Sequence, residues 1–209
     1  MKVVIFDMDG TLIDSQHDIT ASVNYVRQKV YGLSTLDSVF VVEAINRYQR
    51  NLPKLFYETE LYEEDARALF EEHYHLQCIQ TLRLYDGVLE LLTQLKKEDV
   101  KLAVATNAPT PFALRMLSHL KVDHFFTYIV GADMVKTPKP DASMLVYSLE
   151  RFGFDVTCDN AWMVGDNSKD MEAGVNAKID SVFVTWGFAS SGEGKHVISQ
   201  PHELLELIS

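Results

Sequence analysis

Two aspartates, Asp7 and Asp9, stand two positions apart at the end of an apolar run in the stretch VVIFDMDGTLIDS, residues 3–15. Carboxylates that close oppose each other's ionisation, so the stretch is either an acidic turn or a place where something positive sits. Three further groups of chemically capable residues follow apolar runs in the same way. Thr106 and Asn107 follow residues 102–105, and the run at residues 128–130 leads through Gly131 and Asp133 to VKTPKPD, with Lys136 and Lys139. The run at residues 161–164 leads into GDNSKD, with Asp166 and Asp170. Carboxylates, a hydroxyl and a lysine can together supply a nucleophile, a proton donor and electrostatic stabilisation. Taken singly, each stretch also fits a turn, a solvated loop or a helix cap. Their recurrence after four successive runs is what separate turns do not account for.

The elements that must position these residues are legible in the hydrophobic pattern. Residues 3–6, 102–105, 128–130, 161–164 and 181–184 are short, β-branched and apolar throughout, the signature of strands buried on both faces of a parallel sheet. Helical patterns occupy residues 88–97, 111–120, 142–152 and 170–177 between them. Strand and helix alternate, which predicts an α/β fold with a doubly wound, Rossmann-like parallel sheet. In such sheets ligands bind beyond the carboxyl ends of the strands, where the capable residues fall. Residues 15–85 break the alternation. They hold no comparable strand, only helix-compatible stretches at 18–30, 39–50 and 63–76, and so predict a helical insert after the first strand. The expected organisation is a core of residues 1–14 and 86–209 with a helical cap of residues 15–85.

Composition narrows the function. The chain has 209 residues, and its formal net charge of −11 argues against a nucleic-acid or anionic-membrane surface, which would need clustered Lys and Arg. An anionic ligand must therefore be held locally, by a metal or a few placed cations. Cys78 and Cys158 match no metal or redox spacing and read as reduced thiols. The beginning of the chain lacks a signal-peptide pattern and no apolar run is long enough to span a bilayer, so a cytoplasmic location with no membrane partner is expected.

The order DMDGT, ATN, a lysine in KP, then GDNSKD resembles the four-motif signature of haloacid dehalogenase superfamily phosphohydrolases. LYDGVLELLTQLKKEDVKLAVATN, VTWGFASSG and PHELLELI resemble its phosphoglycolate phosphatase and β-phosphoglucomutase branch, in which a helical cap follows the first motif. The resemblance implies that Asp7 attacks phosphorus and forms an aspartyl-phosphate. It implies that Asp9 protonates the leaving alcohol and then takes a proton from the hydrolytic water. A carboxylate approaching a phosphate meets repulsion of about 4 kcal/mol per pair of unit charges at about 4 Å and an effective dielectric of about 20. Cations must offset it. The implied cofactor is Mg²⁺, held by the side chains of Asp7 and Asp166 and the main-chain carbonyl of Asp9, with Asp170 supporting through water or lysine contacts. Lys139, which precedes Pro140 and lies ahead of the RFG turn, fits the motif lysine better than Lys136. Thr106 and the amide of Asn107 would donate to a phosphoryl oxygen.

The expected partner is a small phosphorylated metabolite, phosphoglycolate-like, hydrolysed by a monomer or weak dimer, with the cap excluding water and selecting the leaving group. A phosphomutase of the β-phosphoglucomutase type is the nearest alternative, although INRYQRNLPKLF lacks a Gly-x-Ser-Arg pattern. The presence of Asp9 disfavours a dehalogenase, and a non-catalytic binding or regulatory module on the same fold is the alternative from another class. In the insert, Arg47, Arg50 and Lys54 are expected on a solvated helix face, His73 and His75 at the surface or in packing, and Tyr57, Tyr62 and Tyr74 in packing.

Overall fold

A computed structural model describes residues 1–47 and 51–209. In chain order the elements are β1 (Lys2–Phe6), β2 (Ile13–Asp14), α1 (Gln16–Tyr31), α2 (Ser38–Asn46), α3 (Leu52–Tyr57), α4 (Glu64–Gln77), β3 (Arg83–Leu84) and α5 (Val88–Lys97). They continue with β4 (Lys101–Ala105), α6 (Thr110–His119), β5 (Tyr128–Val130), α7 (Ser143–Phe152), β6 (Asn160–Gly165), α8 (Ser168–Asn176), β7 (Asp180–Val184), β8 (His196–Ile198) and α9 (Glu203–Leu207). Contacts divide the chain into two compact units, residues 1–14 with 83–209, and residues 15–82. Among the described residues no helix is long and apolar enough to cross a membrane.

The first unit is built on a six-stranded parallel sheet in the order β5-β4-β1-β6-β7-β8. This is the α/β, Rossmann-like architecture that the alternating pattern predicts. β1 is its centre because Val3, Val4, Ile5 and Phe6 are all fully buried and can cover both faces. Val3 and Ile5 pack on one face with Ala103, Ala105, Val130, Met144, Leu145 and Met163. Register decides where the chemistry falls. Phe6 stands opposite Val104 on one side and Val164 on the other, so Asp7, Thr106 and Asp166 leave the sheet at the same edge. The ladder extends one step further through the Asp7 amide to the Val164 carbonyl at 2.8 Å and the Thr106 amide to the Val130 carbonyl at 3.0 Å.

α5 illustrates how sequence spacing fixes packing. Val88, Leu91, Leu92 and Leu95 recur at the three and four spacing of one helix face and are buried. Leu89, one position off that face, is 47% exposed. α8 begins with a capping box: the Asn167 side chain accepts at the helix start, and the Asp170 carboxylate accepts from the Asn167 amide.

The second unit is helical and closes its own core around Val23, Val26, Val41, Ala44, Phe56 and Ala66. Its interior also holds polar side chains. Arg27, 3% exposed, donates to the carbonyls of Ser34 and Phe56. Asp18, fully buried, accepts from the Gln77 side chain and the Thr81 amide.

Three differences from the sequence reading stand out. The stretch without strands ends early, because β3 pairs antiparallel with β2, Ile13 opposite Leu84 and Asp14 opposite Arg83. Two-residue strands are too short to show a period. β8, the sheet edge beyond β7, is missed because its three residues, HVI, begin with a polar histidine and are only partly buried, unlike the apolar runs of the inner strands. The helix expected over 39–50 closes at Asn46, and Arg50 lies outside the described residues.

Burial on α5 gives a paired expectation. Leu95→Ala lowers unfolding free energy by about 2–5 kcal/mol, whereas Leu89→Ala stays within about 0.5 kcal/mol of the parent protein. Urea denaturation of the two variants measures the difference, and equal losses would contradict the packing described.

Candidate active site

The turn after β1 is shaped by one carbonyl. The Met8 oxygen accepts from the amides of Thr11, Leu12 and Ile13 at 3.3, 2.9 and 3.1 Å, so the chain folds back at once. Gly10 makes the fold-back possible at φ +85°, a conformation most L-residues avoid. It also lies against Asp166: a Cβ on Gly10 would sit 2.3 Å from Asp166 Oδ2. Asp7 is buried at 8% exposure and Asp9 is half-buried in the turn.

Lys139 reaches the same place from the loop after β5. Its ammonium is 2.6 Å from Asp7 Oδ1 and 2.7 Å from Asp170 Oδ1, with the side chain 2% exposed. Burial alone pulls the ammonium's pKa down; the charges of Asp170 and Asp7 more than offset this and hold it above the usual lysine value. Lys136, by contrast, is exposed. The backbone of Lys139 is fixed by Asn107, whose side chain accepts from the Lys139 amide at 3.1 Å and donates to its carbonyl at 2.9 Å. Asn107 thus uses one donor and one acceptor of its side chain to place the lysine. Thr106, 1% exposed, accepts the Ala108 amide on its hydroxyl oxygen at 3.1 Å.

Asp166 and Asp170 come from the β6–α8 connection. Asp170 is engaged on both oxygens, Oδ1 by Lys139 and Oδ2 by the Asn167 amide at 3.1 Å. Asp166 accepts on Oδ2 from the amides of Phe188 and Ala189 at 2.8 and 3.4 Å, and Thr11 Oγ1 lies 3.4 Å from its Oδ1. Burial, then the charges of Asp7 and Asp170, push the Asp166 carboxyl well above the ordinary range, and the two amides counteract only part of this. The amide contacts escape sequence reading because main-chain N–H groups belong to no residue type. Gly187 is the one signal, since a Cβ there would lie 2.0 Å from the Gly10 carbonyl oxygen and 2.6 Å from Asp166 Cβ.

Asp7, Asp166 and Asp170 each offer a carboxylate oxygen within 4.8 Å of the others. When all three are ionised, these carboxylates carry two more negative charges than the one ammonium bonded to them offsets, in a buried space. That deficit, with all-oxygen donors, fits a hard divalent cation. Among the described residues, Asp7, Asp166 and Asp170 form the group of carboxylates that could hold such an ion.

Fold and site together define an α/β enzyme with a carboxylate and lysine centre at the carboxyl edge of its sheet. The family model described as "Haloacid dehalogenase-like hydrolase" matches residues 4–184, and the chain belongs to that family. A phosphoglycolate phosphatase of Colwellia psychrerythraea is 31% identical over 201 residues, covering 90% of this chain and 85% of that one. Pyrophosphatase PpaX of Listeria monocytogenes is 32% identical over 211 residues, covering 100% and 94%. In fold, the chain is similar to the crystal structure of a predicted phosphoglycolate phosphatase from Haemophilus somnus, at TM-score 0.86 and 24% identity, covering 100% and 98%.

The uncompensated charge makes a counterintuitive expectation. Asp166→Asn removes one buried charge while keeping an oxygen for the two amides, so in EDTA it raises the melting temperature, by roughly 2–4 °C per kcal/mol relieved. A carboxyl with a raised folded-state pKa binds its proton more tightly when folded. Wild-type stability in EDTA therefore falls as pH rises above about 4 toward that pKa, and the slope is shallower in Asp166→Asn. Scanning calorimetry across pH measures both, and a less stable variant with an unchanged slope would refute the charge argument.

Proposed function

We propose that the chain is a Mg²⁺-dependent phosphatase that hydrolyses the phosphate monoester of a small metabolite through an aspartyl-phosphate on Asp7. The observation that carries this reading is the buried Lys139 ammonium 2.6 Å from the Asp7 carboxylate. It sets a positive charge beside the carboxylate assigned as nucleophile and lowers the repulsion that a phosphate dianion would feel on approach.

In the first step an Asp7 oxygen bonds to phosphorus as the ester P–O bond breaks, and Asp9 gives its proton to the departing alkoxide. In the second, Asp9 takes a proton from water, whose oxygen attacks phosphorus, releasing inorganic phosphate and restoring the Asp7 carboxylate. The Thr106 hydroxyl and the Asn107 amide donate to a phosphoryl oxygen. Lys139 neutralises charge on the phosphoryl group, and Asp170 holds Lys139 in place. Asp7, Asp166 and the Asp9 main-chain carbonyl are the ligands assigned to Mg²⁺, which when bound supplies further charge neutralisation at the transferring group.

Phosphoglycolate is the substrate suggested by relatives named phosphoglycolate phosphatase, while the likeness to a pyrophosphatase keeps the choice of leaving group a matter for assay. Water rather than a second sugar position is the acceptor, because the stretch INRYQRNLPKLF lacks a Gly-x-Ser-Arg pattern.

Purified protein is expected to hydrolyse p-nitrophenyl phosphate with Mg²⁺ and to stop on addition of EDTA. Asp7→Asn falls to background, and Asp9→Asn loses about 10²–10⁴-fold in kcat. Turnover that survives Asp7→Asn would remove the nucleophile assignment. A panel including phosphoglycolate and pyrophosphate then ranks substrates by kcat/KM.

A further inference from the structure

Within the acidic centre, the turn of residues 9–12 and Asp166 are far apart in sequence and lie against each other. One short segment touches both. After β7 the chain is tied back to β8 by the Thr185 amide on the Ile198 carbonyl at 3.1 Å, and then crosses the site. Trp186, half-buried, donates its indole Nε1–H to the Thr11 carbonyl at 3.0 Å. Gly187 lies where any side chain would strike both the Gly10 carbonyl and Asp166. Phe188 and Ala189 then place their amides on Asp166 Oδ2. Four consecutive residues thus bridge the two halves, and Trp186 is the one that does so with a side-chain polar atom.

We propose that Trp186 is a positioning residue for the reaction: its indole N–H, acting through the Thr11 carbonyl, fixes the Asp9–Gly10 turn at its working separation from Asp166. The inference rests on the phosphatase reading above and adds a residue to it. Thr11 is the right handle, because its main chain continues directly into Gly10 and Asp9 while its hydroxyl oxygen lies 3.4 Å from Asp166 Oδ1. Pulling on its carbonyl therefore moves both the proton donor and the contact to Asp166. The indole ring alone cannot do this, since the directional element is the single N–H···O bond. Outer hydrogen bonds of this type change metal affinity or activity by roughly 10- to 100-fold when removed.

Trp186→Phe keeps an aromatic ring and deletes the donor. Its kcat on p-nitrophenyl phosphate is expected to fall by roughly 10- to 100-fold, with the Mg²⁺ concentration for half-maximal activity raised and KM for the ester unchanged. A packing role would instead lower stability without that split. The chain has two tryptophans, so Trp162→Phe leaves Trp186 as the sole indole reporter. Its emission is expected to shift when Mg²⁺ is titrated in, with or without vanadate as a phosphoryl mimic, whatever the substrate turns out to be. Wild-type kcat and Mg²⁺ dependence in Trp186→Phe would overturn the proposal. So would an emission from Trp186 that ignores Mg²⁺, which also decides the matter if Trp186→Phe fails to fold. Wild-type protein inactive toward every phosphate ester, yet with Mg²⁺-responsive emission, would sink the phosphatase reading while leaving the positioning role supported.

Discussion

The Lys139 ammonium between Asp7 and Asp170 is the contact on which the rest of the centre depends. Ionised groups removed from water are costly, and removing one partner of a buried pair leaves the other uncompensated. Here a single cation serves two carboxylates, one just after β1 and one in the first turn of α8, so three chain segments are tied at one point. Other details follow from keeping that point in place. Asn107, at the end of β4, gives both ends of its side chain to the Lys139 backbone. Asp170 gives its second oxygen to the start of its own helix. The β4 and β6 ends thus hold the lysine by its backbone and by its charge.

Asp166 solves a different problem, that of holding a carboxylate with main-chain amides. Two main-chain amides take one of its oxygens, and the lack of a side chain at Gly10 and Gly187 lets both stretches of backbone approach it closely. Its raised pKa is a measure of what that arrangement lacks: the protein supplies hydrogen bonds but not a full counter-charge. A site with such a shortfall is poised for a cation of high charge density.

How much of this was legible in the sequence follows from which physical signals the residues carry. The strands bearing Asp7, Thr106 and Asp166 are runs such as VVIF and LAVA, buried on both faces, and such runs announce themselves. Their register then brings the following polar residues to one edge without further information. What stayed hidden is carried by the backbone. The amides of Phe188 and Ala189 and the pairing of β2 with β3 leave no trace in residue type. Asn107 shows the intermediate case: its position was legible, but not that its side chain bonds both the amide and the carbonyl of Lys139.

The inserted unit is far less legible in the sequence than the carboxylate centre. It carries its own apolar cluster, and its buried polar groups, Arg27 and Asp18, find partners inside residues 15–82. Lys54 is paired with Glu60 at 2.8 Å in the open, and Tyr74 stacks on Phe70. His73 lies against the Tyr25 ring and bonds to Ser22. A unit that satisfies its own packing and polar demands can change its surface without disturbing the carboxylates held by Lys139. Its surface residues are therefore free of the constraint that makes DMDGT and GDNSKD recognisable. Constraint by buried charge writes a motif into sequence, and where that constraint is absent, a surface leaves none.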